Sequence, residues 1–172
     1  MAVVLSSCRK EVRLRADAVE DRAGMPALDS RHITTLISDS GVIRYKIVAE
    51  RWRVFDRAKP PYWEFPEGVY LEQFNSAQRV VTSLKADYAY YDREAQIWRL
   101  DGNVHSQNRA GEQFDTPQLF WNQKTERVYS DTTIKITKET SIISGVGFDS
   151  NQDMTQYTIQ HPTGIIPLKD EE

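Results

Sequence analysis

The sequence holds a single cysteine, Cys8, in 172 residues. One thiol excludes an intramolecular disulfide and any metal site built from several cysteines. Histidine is scarce too: His32, His105 and His161 stand in unrelated segments, without an HExxH or a cysteine partner, and read as surface or turn residues. Neither a GxSxG nor a phosphate-binding GxxxxGK(S/T) motif is present, and the carboxylates Asp39, Asp92, Asp101 and Asp149 fall among turn formers, where Asp is expected for backbone reasons. No enzyme, cofactor or metal is therefore expected. No run of about 20 apolar residues occurs, so the chain as written has no membrane-spanning helix. Nor does one sign of charge prevail: 22 Lys and Arg against 25 Asp and Glu give a net charge of -3. The basic residues are scattered from Arg31 to Lys169, which argues against nucleic acid, whose binding needs a concentrated positive footprint.

What the chain does contain begins at its N-terminus. Met1-Ala2-Val3-Val4-Leu5-Ser6-Ser7-Cys8 is a short apolar run closing on two small residues and a cysteine, followed directly by Arg9-Lys10-Glu11. It resembles the end of a bacterial lipoprotein signal, in which the cysteine thiol receives diacylglycerol and becomes the first residue after cleavage. A full signal has a basic start and about 7–15 apolar residues ahead of the cleavage site, so the start is expected upstream of Met1. The alternative is an ordinary free cysteine at a frayed terminus. Residues 1–8 are thus read as a signal remnant, 9–30 as a charged spacer with weak helical spacing of Val12, Leu14, Ala16 and Val19, 31–168 as the folded domain, and 169–172 as an acidic tail.

From Arg31 the pattern changes to alternation. Ile43, Tyr45, Ile47 and Ala49 interleave with Arg44, Lys46, Val48 and Glu50, and Val80, Thr82, Leu84, Ala86, Tyr88 and Tyr90 with Ser83, Lys85 and Asp87. A period of two marks half-buried strands. Turn formers separate these segments at Ser38–Gly41, Asn75-Ser76, Asp92-Arg93, Asp101-Gly102-Asn103, Asn108–Gly111, Asn122-Gln123, Asp149–Asn151 and His161–Gly164, predicting roughly ten or more strands of about 6 to 8 residues in an all-β meander. The segments also repeat: Leu84, Tyr90, Tyr91, Asp92 and Val104 recur 30 residues later as Phe114, Phe120, Trp121, Asn122 and Ile134. Stacked repeats cover one another's apolar faces.

Four segments in order, Gly41–Glu50, Leu84–Asp87, Leu100–Val104 and Ser144–Asp149, resemble the successive signatures of the LptC family of lipopolysaccharide export. That resemblance spans roughly Arg31 to Ile165. It implies a twisted β-jellyroll, open along one side, built from antiparallel hairpin units like those of LptA and LptC. It also implies a non-catalytic periplasmic conduit that takes lipopolysaccharide from an inner-membrane ABC transporter and hands it to an LptA-like bridge protein. Many members carry a transmembrane helix where this chain shows the lipoprotein-like cysteine, so anchoring to the inner membrane is expected through Cys8. Each exposed CH₂ of a lipid costs roughly 0.8 kcal/mol in water, and inward-facing residues of the alternating strands can remove that cost. The candidates are Ile43, Tyr45, Ile47, Trp63, Phe65, Val69, Leu71, Leu84, Trp98, Leu100, Phe114, Trp121, Val128, Ile134, Ile136 and Phe148, any one of which can instead be ordinary core. A partner edge is expected at the C-terminal strand, at Tyr157, Thr158, Ile159, Ile165 and Ile166. The competing readings are a soluble LptA-like bridge and a closed β-sandwich lipoprotein that binds carbohydrate on exposed aromatics.

Overall fold

Apolar residues at every second position need a sheet with one covered face, and the short Asn-, Asp- and Gly-containing breaks supply the hairpins that return the chain to it. A computed structural model describes residues 23–167. Cys8, most of the spacer and the acidic tail lie outside the described residues. Within them the chain forms β1 (Leu28–Asp39), β2 (Val42–Phe55), β3 (Tyr62–Phe65), β4 (Val69–Phe74), β5 (Val80–Ala86), β6 (Tyr88–Asp92), β7 (Ile97–Asn108), β8 (Gln113–Asn122), β9 (Arg127–Thr137), β10 (Ser141–Asn151) and β11 (Tyr157–Pro167).

All eleven belong to one antiparallel sheet, ordered β11-β10-β9-β8-β7-β5-β4-β2-β3-β6, with β1 added on β2 and β6 also paired to β7. Two long strands shape it. One flank of β2 pairs with β4 through Tyr45–Ala49 and with β3 through Arg53–Phe55, while its other flank carries β1. Likewise β7 pairs with β6 through Ile97–Asp101 and with β5 through His105–Asn108, and its other flank carries β8. Because β4 pairs with β5 and β3 with β6, the sheet rolls around the stretch between β2 and β7. The result is an all-β, jellyroll-like fold. Its inner face holds Ile47, Phe65, Leu100, Phe114, Leu119, Ile136 and Phe148, each no more than 1% exposed.

Several boundaries differ from the sequence expectation. The sheet begins at Leu28, inside the stretch read as spacer, because Leu28, Asp29 and Ser30 pair with Val54, Arg53 and Trp52. Arg51 grips the Asp29 carboxylate through two hydrogen bonds of 2.7 and 2.9 Å. Strand lengths run from 4 residues in β3 to 14 in β2, wider than expected, since two predicted turns are bulges inside strands. Asp101-Gly102-Asn103 sits within β7, where the register to β8 slips between Asp101 and Val104; Gly102, at φ +75°, supplies the left-handed residue that a bulge needs as much as a turn does. His161–Gly164 sits within β11, at a slip opposite Ser144 and Gly145. There a Cβ on Gly145 would stand 2.3 Å from Ile159 Cγ2 and 2.8 Å from the His161 carbonyl oxygen, so only glycine lets β11 approach so closely. Pro162 is tolerated because β11 is an edge strand.

The 30-residue repeat is visible in three dimensions. Asp92 and Asn122 open equivalent turns in which their side chains accept backbone N–H groups, Glu94 and Ala95 in one case and Thr125 in the other. Gln96 and Glu126 close them at φ 59° and 54°.

A polar cluster secures β11 to the body. The Tyr157 hydroxyl donates to Glu112 Oε1 at 3.2 Å, Asn108 Nδ2 donates to Glu112 Oε2 at 2.7 Å, and Lys138 Nζ lies 3.1 Å from Oε1. Burial pushes the Glu112 carboxyl up, but hydrogen bonds from Asn108, Lys138 and Tyr157 and the Lys138 charge outweigh it and hold it below its ordinary 4.5. A carboxyl depressed by folding adds stability that is complete above its unfolded pKa and is lost as pH falls through the folded one. In Glu112→Gln, therefore, less stability is lost than in wild type as pH drops below about 4.5, measured by urea unfolding across that range. Parallel acid limbs for the two proteins would remove Glu112 from the account.

Candidate functional site

Rolling the sheet sets two groups of its strands, joined where β5 pairs with β7, face to face around a narrow, apolar space. One wall comes from β1, β2, β4 and β5, through Ile37, Tyr45, Ile47, Leu71, Thr82 and Leu84; the other comes from β7, β8 and β9, through Trp98, Trp121 and Val128. Glu72, Gln73, Gln123 and Gln152 add polar groups to the lining. The walls touch where the ring of Tyr45 meets Trp121 edge-on, at a centroid distance of 5.2 Å and 67°. Behind that contact the aromatics continue as a stack, Trp121 on Trp98 at 6.4 Å, Trp98 on Phe65 at 5.5 Å and on Tyr91 at 4.8 Å. Such offset and edge-on rings add packing energy to the area they bury, on the order of 1 kcal/mol per pair. Burial also pushes the Tyr45 phenol above its ordinary value, as expected for a hydroxyl at the edge of an apolar space.

The space is closed at one side by the loop between β10 and β11. Asn151 builds that loop: its Oδ1 accepts the N–H groups of Thr155 and Gln156, both at 3.0 Å, and its carbonyl accepts the Met154 N–H at 3.0 Å. Met154 is thereby turned inward at φ 53° and is 1% exposed. Its sulfur lies 3.1 Å from the Ser106 hydroxyl and its carbonyl oxygen accepts Asn108 Nδ2 at 2.8 Å. A second tie crosses to the opposite wall, where Gln73 Nε2 on β4 donates to Asp153 Oδ1 at 3.2 Å. With Met154 in place the space is a cavity of about 40 Å³. Since roughly 10–15 Å³ suffices for one water, it holds a few waters and no long chain.

The residues singled out from sequence fall into three groups. Tyr45, Ile47, Leu71, Leu84, Trp98, Trp121 and Val128 line the cavity together. Phe65, Val69, Leu100, Phe114, Ile134, Ile136 and Phe148 are buried in the packed core beside it, with Trp63 half-buried against them. Ile43 is half-buried near the β1–β2 turn, opposite Ser38. Alternation identified the inner face but could not separate cavity from solid core, since both use the same pattern. Ile37, Gln73, Thr82, Gln123, Gln152 and Met154 were missed: Ile37 lies in an edge strand of weak alternation, Met154 in a turn, and the rest are polar.

Both ends of the sheet are unpaired on one side among the described residues, since β1 bonds only to β2 and β11 only to β10. On β11, Tyr157 and Ile159 pack against the core, Thr158 faces out, and Ile165 and Ile166 are 68% and 62% exposed. On β1, Leu36 is 54% exposed. The histidines are superficial: His32 Nδ1 is 2.9 Å from Glu50 and His105 Nδ1 is 2.7 Å from Asp115, and His161 is exposed on β11. A family model described as Lipopolysaccharide-assembly, LptC-related matches residues 10–163. No curated protein matches the chain.

Proposed function

The chain belongs to the LptC family, which serves lipopolysaccharide transport, and on that premise we propose that it is a non-catalytic periplasmic conduit. In this reading it receives lipopolysaccharide from an inner-membrane ABC transporter and passes it to an LptA-like bridge. The observation that carries it is the apolar, aromatic-lined space between two walls that are joined by backbone only where β5 pairs with β7 and are otherwise held by side chains, Tyr45 against Trp121 and the Met154 loop against β4. An acyl chain of about 14 carbons costs on the order of 10 kcal/mol to hold in water, and this is the place in the fold where such a chain exchanges water for apolar contact. The cavity is too small for it as it stands, so loading requires the walls to part and Met154 to leave. The ties that hold Met154 are a few neutral or singly charged hydrogen bonds, each worth roughly 0.5–3 kcal/mol, which a bound chain can offset.

The unpaired edges are the natural junctions with partners. Extended backbone on β11 offers unsatisfied N–H and C=O groups to a further strand, and the exposed Ile165 and Ile166 give that junction apolar cover, while Pro162 and Pro167 limit its length. We assign the LptA-like bridge to this edge and the membrane anchor to lipid on Cys8. A second reading, a closed sandwich that binds sugar on its surface, is favoured by the tightness of the cavity and by the half-buried outer-face rings Tyr62 and Tyr90, stacked at 5.0 Å.

Photo-crosslinking in cells separates the two. A benzophenone amino acid replacing Tyr45 is expected to capture lipopolysaccharide, and one replacing Tyr90 on the outer face is not; the reverse pattern would favour the closed sandwich. Truncation after His161 should abolish co-purification with the bridge while crosslinking at position 45 persists, and retained bridge binding in a folded truncation would move the junction to another edge. Mass spectrometry of the mature N-terminus should find an acylated Cys8; an unmodified thiol would discard the lipid anchor.

A further inference from the structure

Three residues in the lining of the cavity carry hydrogen-bond donors that find no acceptor within the protein. Trp98 Nε1, Trp121 Nε1 and Thr82 Oγ1 are buried without a hydrogen-bond partner among the protein's own atoms, although all three residues line the cavity. They are 2%, 7% and 8% exposed, so bulk water does not serve them. Trp98 and Trp121 stand on adjacent strands, directly opposite each other in the β7–β8 register, and their indoles lie nearly parallel at 17°. Thr82 lies on the facing wall, on β5, paired with Gln73 of β4 and Asn108 of β7. Other buried hydroxyls do not share this condition: Ser106 donates to the Ser83 carbonyl at 2.9 Å, Thr116 donates to the Gln118 carbonyl at 3.0 Å, and Ser130 lies within hydrogen-bond distance of Thr116 at 3.3 Å.

A groove meant only for saturated hydrocarbon has no use for buried donors. Water can serve them while the groove is wet, but a chain that expels the water and brings no acceptor leaves them unpaired, which works against its own binding. We propose that Thr82, Trp98 and Trp121 form a recognition site for oxygen carried on the lipid's acyl chain, a hydroxyl or the carbonyl of an ester or amide, so that the groove prefers acyl chains bearing such oxygen to plain alkyl chains. This rests on the lipid-conduit reading and adds a specificity to it. Gln73, Gln123 and Gln152, also in the lining, extend the polar character along the same passage.

Three amphiphiles of equal chain length and similar sugar head, each below its critical micelle concentration, test it by quenching of tryptophan fluorescence: an alkyl glycoside, an N-acyl glucamide and a β-hydroxyacyl glucamide. The purified full chain should bind one or both oxygen-bearing chains more tightly than the alkyl chain by about three- to tenfold per hydrogen bond gained, and the two acyl arms tell whether carbonyl or hydroxyl is the acceptor. Thr82→Val keeps the β-branched shape and removes the hydroxyl. It should lower that preference, read as the ratio of the oxygen-bearing to the alkyl affinity, by about three- to tenfold, with thermal unfolding confirming that the variant is folded. Equal affinity of wild type for all three would overturn the inference and leave the conduit reading standing. Absence of binding by every chain would overturn both. A preference that survives Thr82→Val undiminished would remove Thr82 from the site, and the proposal as stated with it.

Discussion

The rolled shape depends on β2 and β7, each hydrogen-bonded along one flank to two shorter strands in succession. Because β2 gives its first half to β4 and its second to β3, and β7 does the same with β6 and β5, the sheet cannot lie flat. It must curl, and the curl brings the inner faces of distant strands into contact without any backbone pairing between β1 and β11. Interior and edges therefore have one origin: the constraint that creates an apolar space also leaves a strand edge free on each side of it.

Away from the β5–β7 backbone pairing, side-chain contact closes such a space. Phe65, Leu100 and Phe148, in the packed core beside it, are completely buried and hold the roll together in the way any packed core does. Around the cavity, the closure rests on Tyr45 against Trp121, on Met154, and on the single hydrogen bond from Gln73 to Asp153. A solid core beside a lightly held contact suits the proposed passage of a large amphiphile, since the core preserves the fold while the contact parts. A loop held by Asn151, Asn108 and Gln73 costs far less to lift than a core strand costs to remove.

Much of this was legible in the sequence, and the misses have physical reasons. The alternation at Ile43–Ala49 and Val80–Ala86 gave strands, and the paired turns at Asp92 and Asn122 gave the repeat, because backbone periodicity and turn chemistry are local. Asp101-Gly102-Asn103 and His161–Gly164 read as turns because a bulge and a turn ask for the same left-handed or proline-tolerant positions. Bulges also shift the parity of burial, from Phe114 and Thr116 to Leu119 and Trp121 along β8, so a strict period of two fails midway through a long strand. Which inward residues face the cavity and which face solid core depends on pairings far apart in sequence, as Gln73 with Asp153 illustrates. Met154 carried no local signal, and Thr82, though in phase with Leu84 and Ala86 in the alternation, is polar and was not singled out.

In the proposed conduit, the space between the two walls opens to take lipid by release of the Met154 loop. Spin labels on the exposed Arg79, in the β4–β5 turn, and Thr155, in the β10–β11 loop, report that opening as a distance by double electron–electron resonance. Adding lipopolysaccharide should shift the distribution to longer distances and broaden it, with a label pair across β7 and β9 unchanged. An unaltered Arg79–Thr155 distance while lipopolysaccharide is bound would contradict the account.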